Sequence, residues 1–139
     1  VLVPAFLRHP SRRDAERLAR EVLAEVGLGE RADQPAMDLN LARRRRLELA
    51  RALALEPKIL FLDEIMAGLN PPALREMINL VRQLRDRGLA ILMVEHIMEA
   101  IIELCDHVIV LASGEKIAEG TPQQVINDSR VVEAYLGTD

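Results

Sequence analysis

The sequence predicts an α/β layered fold, a parallel sheet flanked by helices, with a helical segment in front of it. Residues 58–63 and 89–94 form two short apolar runs, separated by a stretch with apolar residues at helical spacing. Strands buried on both faces read as continuous apolar runs, whereas strands with one wet face alternate apolar and polar residues. Such strands alternating with helices of about 15 residues form a parallel sheet covered on both faces. Before residue 57 the pattern is helical throughout, so the chain divides by element type into a helical part, 1–56, and an α/β part, 57–139. No Pro/Gly/Ser-rich linker or internal repeat marks the boundary.

Each element follows from local chemistry. Val1-Leu2-Val3 reads as the middle of an element, because nothing caps or introduces it. Ser11 is suited to an N-cap, and Ala15, Leu18, Ala19, Val22, Leu23 and Val26 then recur at helical spacing, predicting a helix over 11–27 closed near Gly27 or Gly29. A second helix spans Leu41 to Leu55 and stops before Pro57, since the residue before a proline disfavours the α region. After the strand 58–63, Pro71 and Pro72 suit a first helical turn; Leu74, Met77, Ile78, Val81 and Leu84 share one face, and Gly88 closes the helix. Beyond the strand Leu89–Val94 come a helix over 97–104, a third apolar run His107–Leu111, a Ser113-Gly114 turn and a short strand Lys116–Ala118. Thr121-Pro122 opens one short helix, and Arg130–Leu136 forms another.

Composition sets the bounds. A chain of 139 residues, half of them apolar, is one domain's worth and has enough apolar material for a core. The net charge is −4, and no apolar run approaches the ~20 residues needed to cross a bilayer, which predicts a soluble, mildly acidic cytoplasmic protein. The single cysteine, Cys105, excludes an internal disulfide and has no metal-ligand spacing around it. Arg43-Arg44-Arg45-Arg46 invites a nucleic-acid reading, but four successive helical residues spread around the axis and few can face one phosphate track. With two Phe, one Tyr and no Trp, stacking platforms are absent too, so no nucleic-acid partner is expected and the run reads as a solvated or nucleotide-facing helix start.

The chemistry is carried by carboxylates at strand ends. The first strand ends in Asp63-Glu64 and the second in Glu95-His96, and ligands of parallel sheets gather at the carboxyl ends of strands. An Asp delivered to magnesium, a Glu that polarises the attacking water and a His at the terminal phosphate form a set suited to nucleotide hydrolysis. Nowhere in the 139 residues is there a G-x-x-x-x-G-K-S/T loop, the element that cradles phosphates with backbone N–H groups and a lysine.

At these residues the sequence resembles the ATP-binding subunits of ABC transporters. Phe61-Leu62-Asp63-Glu64 is similar to the Walker B strand, Ala67-Gly68-Leu69-Asn70 to the D-loop, and Val94-Glu95-His96 to the switch-histidine segment. Arg45 through Leu53, the form Gly68-Leu69-Asn70-Pro71, and the tail Ala118-Glu119-Gly120-Thr121-Pro122 through Val132-Glu133-Ala134-Tyr135-Leu136-Gly137 resemble the branched-chain amino acid importers. The resemblance implies a P-loop NTPase-like sheet preceded by a helical signature lobe, with ATP and Mg2+ as cofactors. It also implies that Asp63 holds the metal through water, that Glu64 is the general base, that His96 meets the γ-phosphate and that Asn70 couples two subunits across their interface. The implied partners are a second ATPase subunit, identical or not, and membrane permease subunits, which places the protein at the inner face of the cell membrane.

Three departures accompany the resemblance. The region that should hold the phosphate loop, the adenine-stacking aromatic and the Gln-containing loop is missing, because Val1 aligns just beyond the last of these, so the chain is expected to be the C-terminal portion of an incomplete ATPase domain, unable alone to bind or hydrolyse ATP. On that alignment the strand between those ending at His96 and Leu111 is absent, which predicts unpaired apolar strand edges prone to aggregation or partner pairing. The signature position reads Leu39-Asn40-Leu41-Ala42-Arg43, in which Asn40 keeps a donor and Arg43 adds charge, while the Cβ of Ala42 obstructs approach to a phosphate. Ile65 stands where a proline usually follows the acidic pair. The altered signature leaves a second expectation open, a non-catalytic module that pairs with an intact ATPase.

Overall fold

The computed structural model describes residues 1–136, in two compact units that divide between Val94 and Glu95.

In the first unit, α1 (Leu2–Arg8) packs on α2 (Arg12–Glu25). Ala5, Ala15, Ala19 and Ala54 form their shared core, where the small side chains allow the backbones to approach closely. Ser11 takes the N-cap position of α2 as predicted, although its hydroxyl makes no capping bond. The segment Val1-Leu2-Val3 is the start of α1, with Val1 at the N-cap position and no side-chain cap. Two single 3₁₀ turns, Gly29–Arg31 and Ala36–Asp38, fill the stretch before α3 (Leu41–Leu53), pinned by the buried Leu28 and Leu39.

Helix α3 stops two residues earlier than its composition predicts. Glu56 adopts a positive φ of 49° and its N–H bonds back to the Leu53 carbonyl at 2.8 Å, so the chain has already turned before Pro57. Strand β1 (Ile59–Asp63) follows, then α4 (Pro71–Asp86) and β2 (Ala90–Val94). Met77, Ile78, Leu80, Val81 and Leu84 of α4 are buried, each contributing about 1.5–3 kcal/mol by leaving water. β1 and β2 pair in parallel from Ile59↔Ala90 to Asp63↔Val94, so the two strands end side by side.

The expectation of a sheet covered on both faces is corrected here. Leu60 and Leu62 are buried, but the opposite face exposes Ile59, Phe61, Leu92 and Val94, with Phe61 at 70%. The apolar run therefore reports what the strands are built to meet, and nothing within the first unit covers that face.

In the second unit, α5 (Met98–Leu104) precedes β3 (Val108–Ala112) and β4 (Glu115–Gly120). The third apolar run thus enters an antiparallel hairpin and, among the described residues, pairs with β4 alone. Ser113 and Gly114, at φ 51° and 83°, form the two-residue turn that matches strand twist. In α6 (Pro122–Ile126) the Thr121 hydroxyl accepts from the Gln124 N–H while Gln124 Oε1 accepts from the Thr121 N–H, a capping box. Ala118, Val125 and Val131 form the core beneath α6 and α7 (Ser129–Leu136), and Tyr135 Oη donates to the Leu111 carbonyl at 2.6 Å. Gly137 of the importer-like tail lies outside the described residues.

Candidate functional site

The site is built at the carboxyl ends of β1 and β2. Asp63, the last residue of β1, is exposed and in register with Val94; among the described residues its carboxylate makes no hydrogen bond or ion pair. Glu64 continues the ladder by one bond, its N–H donating to the Val94 carbonyl at 2.9 Å. Its φ of 46° lies in the left-handed region, which costs a side-chain-bearing residue about 1–2 kcal/mol. Backbone strain of this kind concentrates at functional positions, and here it sits on the residue read as the general base. Ile65, which follows, leaves Glu64 free of the restriction that a proline imposes on the residue before it.

The chain then turns over the buried Met66. The Ala67 N–H donates to the Glu64 carbonyl at 3.1 Å and the Leu69 N–H to the Met66 carbonyl at 3.2 Å. Asn70 caps α4, its Oδ1 accepting from the Ala73 N–H at 3.0 Å, with Pro71 and Pro72 in the first turn.

Asn40 caps α3 in the same way, accepting from the Arg43 N–H at 3.0 Å. Its side-chain oxygen and one helix-end donor are therefore committed to each other, while its Nδ2 still offers hydrogens. Ala42 is half-buried in the first turn of the same helix, and the Arg43 guanidinium makes no hydrogen bond or ion pair among the described residues. The starts of α3 and α4 are neighbours: a Cβ added at Gly68 would stand 3.3 Å from Leu41 Cδ2.

The rest of the arginine run holds the protein together. Arg44 donates to the Leu39 and Met37 carbonyls, both at 2.8 Å, and Arg45 pairs with Glu48 at 3.1 Å. Arg46 donates to the Val26 carbonyl at 3.2 Å and to Glu76 at 2.6 Å. Only Arg43 keeps the nucleotide-facing option read from the sequence. The Arg46 partners lie 20 and 30 residues away, and no short-range pattern signals them.

Glu95 and His96 follow β2 directly and open the second unit, with His96 exposed. No group of three or more His, Cys, Asp or Glu side chains able to hold a metal occurs among the described residues. A magnesium ion needs only one or two carboxylates and completes its shell with water and phosphate oxygens, so a single exposed carboxylate is enough for the protein's share. Asp63 fits that part. No helix among the described residues is long and apolar enough to cross a membrane.

Comparison with known proteins gives these residues a family. A family model described as "ABC transporter" matches residues 5–67, and one described as "Branched-chain amino acid ATP-binding cassette transporter" matches 115–139. The chain is 40% identical over 135 residues to the high-affinity branched-chain amino acid transport ATP-binding protein BraF of Pseudomonas aeruginosa, covering 96% of this chain and 52% of BraF. It is 39% identical over 141 residues to LivG of Escherichia coli, covering 98% and 55%. Among solved structures it is similar to the ADP conformation of MJ1267, an ATP-binding cassette of an ABC transporter, with a TM-score of 0.80 and 31% identity over 88% of this chain and 50% of that one. The chain spans about half the length of the curated relatives it matches. It belongs to the family of ABC transporter ATP-binding proteins, homologous to those of the branched-chain amino acid type.

Proposed function

We propose that this chain forms part of an ATP-binding and ATP-hydrolysing subunit that energises branched-chain amino acid import. The observation that carries the reading is the end of the β1–β2 pair, where an unpaired Asp63 and a left-handed Glu64 stand beside the end of the neighbouring strand. The identity to BraF and LivG supports the solute class.

In this reading Asp63 holds a magnesium ion through water, and Glu64 accepts the proton of the attacking water. The metal, when bound, neutralises charge on the phosphate oxygens. His96 meets the terminal phosphate. Asn40 Nδ2, the backbone at Ala42 and the Arg43 guanidinium face the nucleotide of a second ATPase subunit, and Asn70 joins the two subunits. Within the 139 residues there is no phosphate loop, so the chain by itself is proposed not to turn over ATP. The assembly works at the inner face of the membrane, bound to permease subunits.

A second reading, a non-catalytic partner of an intact ATPase, is favoured by one feature. The Ala42 Cβ and the Asn40–Arg43 capping bond both reduce what the start of α3 offers a phosphate. The test is ATP turnover by the native gene product purified from its own cells with its co-purifying subunits. Glu64→Gln should abolish turnover and leave ATP binding intact; unchanged turnover removes Glu64 from the base role and leaves the non-catalytic reading.

A further inference from the structure

We propose that Arg46 is a positioning residue that locks the start of α3 to the start of α4, so that the Asn40–Arg43 segment and Asn70 move as one body. The inference rests on the reading of those segments as the nucleotide-facing and subunit-coupling parts of the ATPase.

The geometry is reciprocal. Arg46 lies six residues past the cap Asn40, and Glu76 lies six past the cap Asn70. Six residues are about 9 Å of helix, so the 2.6 Å Arg46–Glu76 bond ties the two helices at the same depth below their caps. A second tie lies above it, where the backbone at Gly68 approaches Leu41 so closely that a Cβ would be 3.3 Å away. The Arg46–Glu76 bond and this close approach act at separate points, and together they oppose independent sliding of the helix starts. The other end of the guanidinium bonds to the Val26 carbonyl at 3.2 Å, which anchors the fork on α2 and fixes its direction. Gly27 makes room for it: a Cβ there would sit 2.7 Å from Arg46 Nη1. Lysine has one point of attachment where Arg46 uses two, so the position requires arginine geometry and not charge alone.

The test reads each helix from a change made on the other. Backbone amide resonances of Arg43 and Ala73 are followed in the 139-residue chain. Glu76→Ala on α4 should move the Arg43 amide, and Arg46→Lys on α3 should move the Ala73 amide, with cooperative unfolding retained. An Arg43 amide that stays at its wild-type position in Glu76→Ala overturns the proposal, and the exposed Glu76 keeps that arm usable if the Arg46 variant does not fold. In the native gene product, Glu76→Ala should lower kcat roughly tenfold and leave KM for ATP within about twofold, the mark of misplacement and not of lost binding. A shifted amide with unchanged kcat also overturns it. A native product with no ATP turnover, in which the two amides still respond across the helices, sinks the ATPase reading and leaves the lock standing.

Discussion

Replacing Gly27 with alanine probes the Arg46 anchor through stability, and Gly88→Ala supplies the control. Both glycines have positive φ, 75° and 92°, so either alanine incurs about 1–2 kcal/mol of left-handed strain. The stiffer unfolded chain adds a further loss of folded-state preference in neither case; it returns about 0.4–1 kcal/mol, leaving a net cost near 1 kcal/mol for each. Nothing lies within 4 Å of a Cβ at Gly88, so its cost ends there. At Gly27 the Cβ would meet Arg46 Nη1 at 2.7 Å, and the guanidinium must leave the Val26 carbonyl. A bond from a charged donor contributes about 1.5–3 kcal/mol, and the 19% exposure of the Arg46 side chain lets water replace part of it, which favours the lower end. The Glu76 pairing, exposed on the carboxylate side, adds well under about 1 kcal/mol. Gly27→Ala should therefore cost about 2.5 kcal/mol, some 1.5 kcal/mol more than Gly88→Ala by the same sum. Urea denaturation measures both, compared at unchanged m-value. A gap below about 0.5 kcal/mol would refute the idea that Arg46 is seated against Gly27.

Three further outcomes are expected. Met77, at 1% exposure, has no room to be replaced from solvent, so Met77→Ala should cost about 2–5 kcal/mol in the same denaturation experiment; a loss under about 1 kcal/mol would mean that α4 is not packed as described. The Asp128 carboxylate is held down to about 2 by the Arg130 side chain and by the Arg130 backbone N–H, at the start of α7. A depressed carboxylate stabilises the fold above its ordinary value of 3.8 and loses that contribution as pH falls through about 2, so the protection of α7 amides, taken relative to their intrinsic exchange at each pH, should fall across that window and Asp128→Asn should flatten the fall; an identical acid profile in the variant would remove Asp128 as the cause. The apolar face bearing Phe61 should bind an apolar fluorescent dye and promote association of the isolated chain at high concentration, with Phe61→Ser lowering both; a chain that stays monomeric and silent to the dye contradicts the exposed face.

Elements whose signals are local were legible. Pro71-Pro72 opens α4 and Gly88 closes it, Thr121-Pro122 opens α6, and Ser113-Gly114 forms the hairpin turn, because each is decided by a few neighbouring residues. The acidic pair was also readable as the end of a strand, since an apolar run followed by two carboxylates has few other structural meanings. The limits are physical. A continuous apolar run says that both faces of a strand suit burial, but does not name the covering layer, hence the exposed Phe61 face. The left-handed Glu64 is imposed by its bond to Val94 across the sheet and by the turn over Met66, neither visible in a Glu-Ile-Met sequence.

The arginine run shows most directly why side-chain roles escape a reading of spacing. Successive helical residues point in directions about 100° apart, so four identical side chains meet four different surroundings. Arg44 turns back to the loop carbonyls at 37 and 39, Arg45 finds Glu48 within α3, Arg46 crosses to α2 and α4, and Arg43 is left with no partner among the described residues. Sequence identity along the run therefore conceals a division of labour that only the packed helices reveal. It follows that the four positions should respond differently to one substitution. Arg43→Ala removes charge from the start of α3 and no internal bond, so it should leave the unfolding free energy of the chain, measured in urea, within about 0.5 kcal/mol of wild type. Arg46→Ala strands the Val26 carbonyl and Glu76 together and should cost more than about 1.5 kcal/mol. Equal losses at the two positions would mean that the run acts as undifferentiated surface charge, and the partition of roles drawn from the structure would fall.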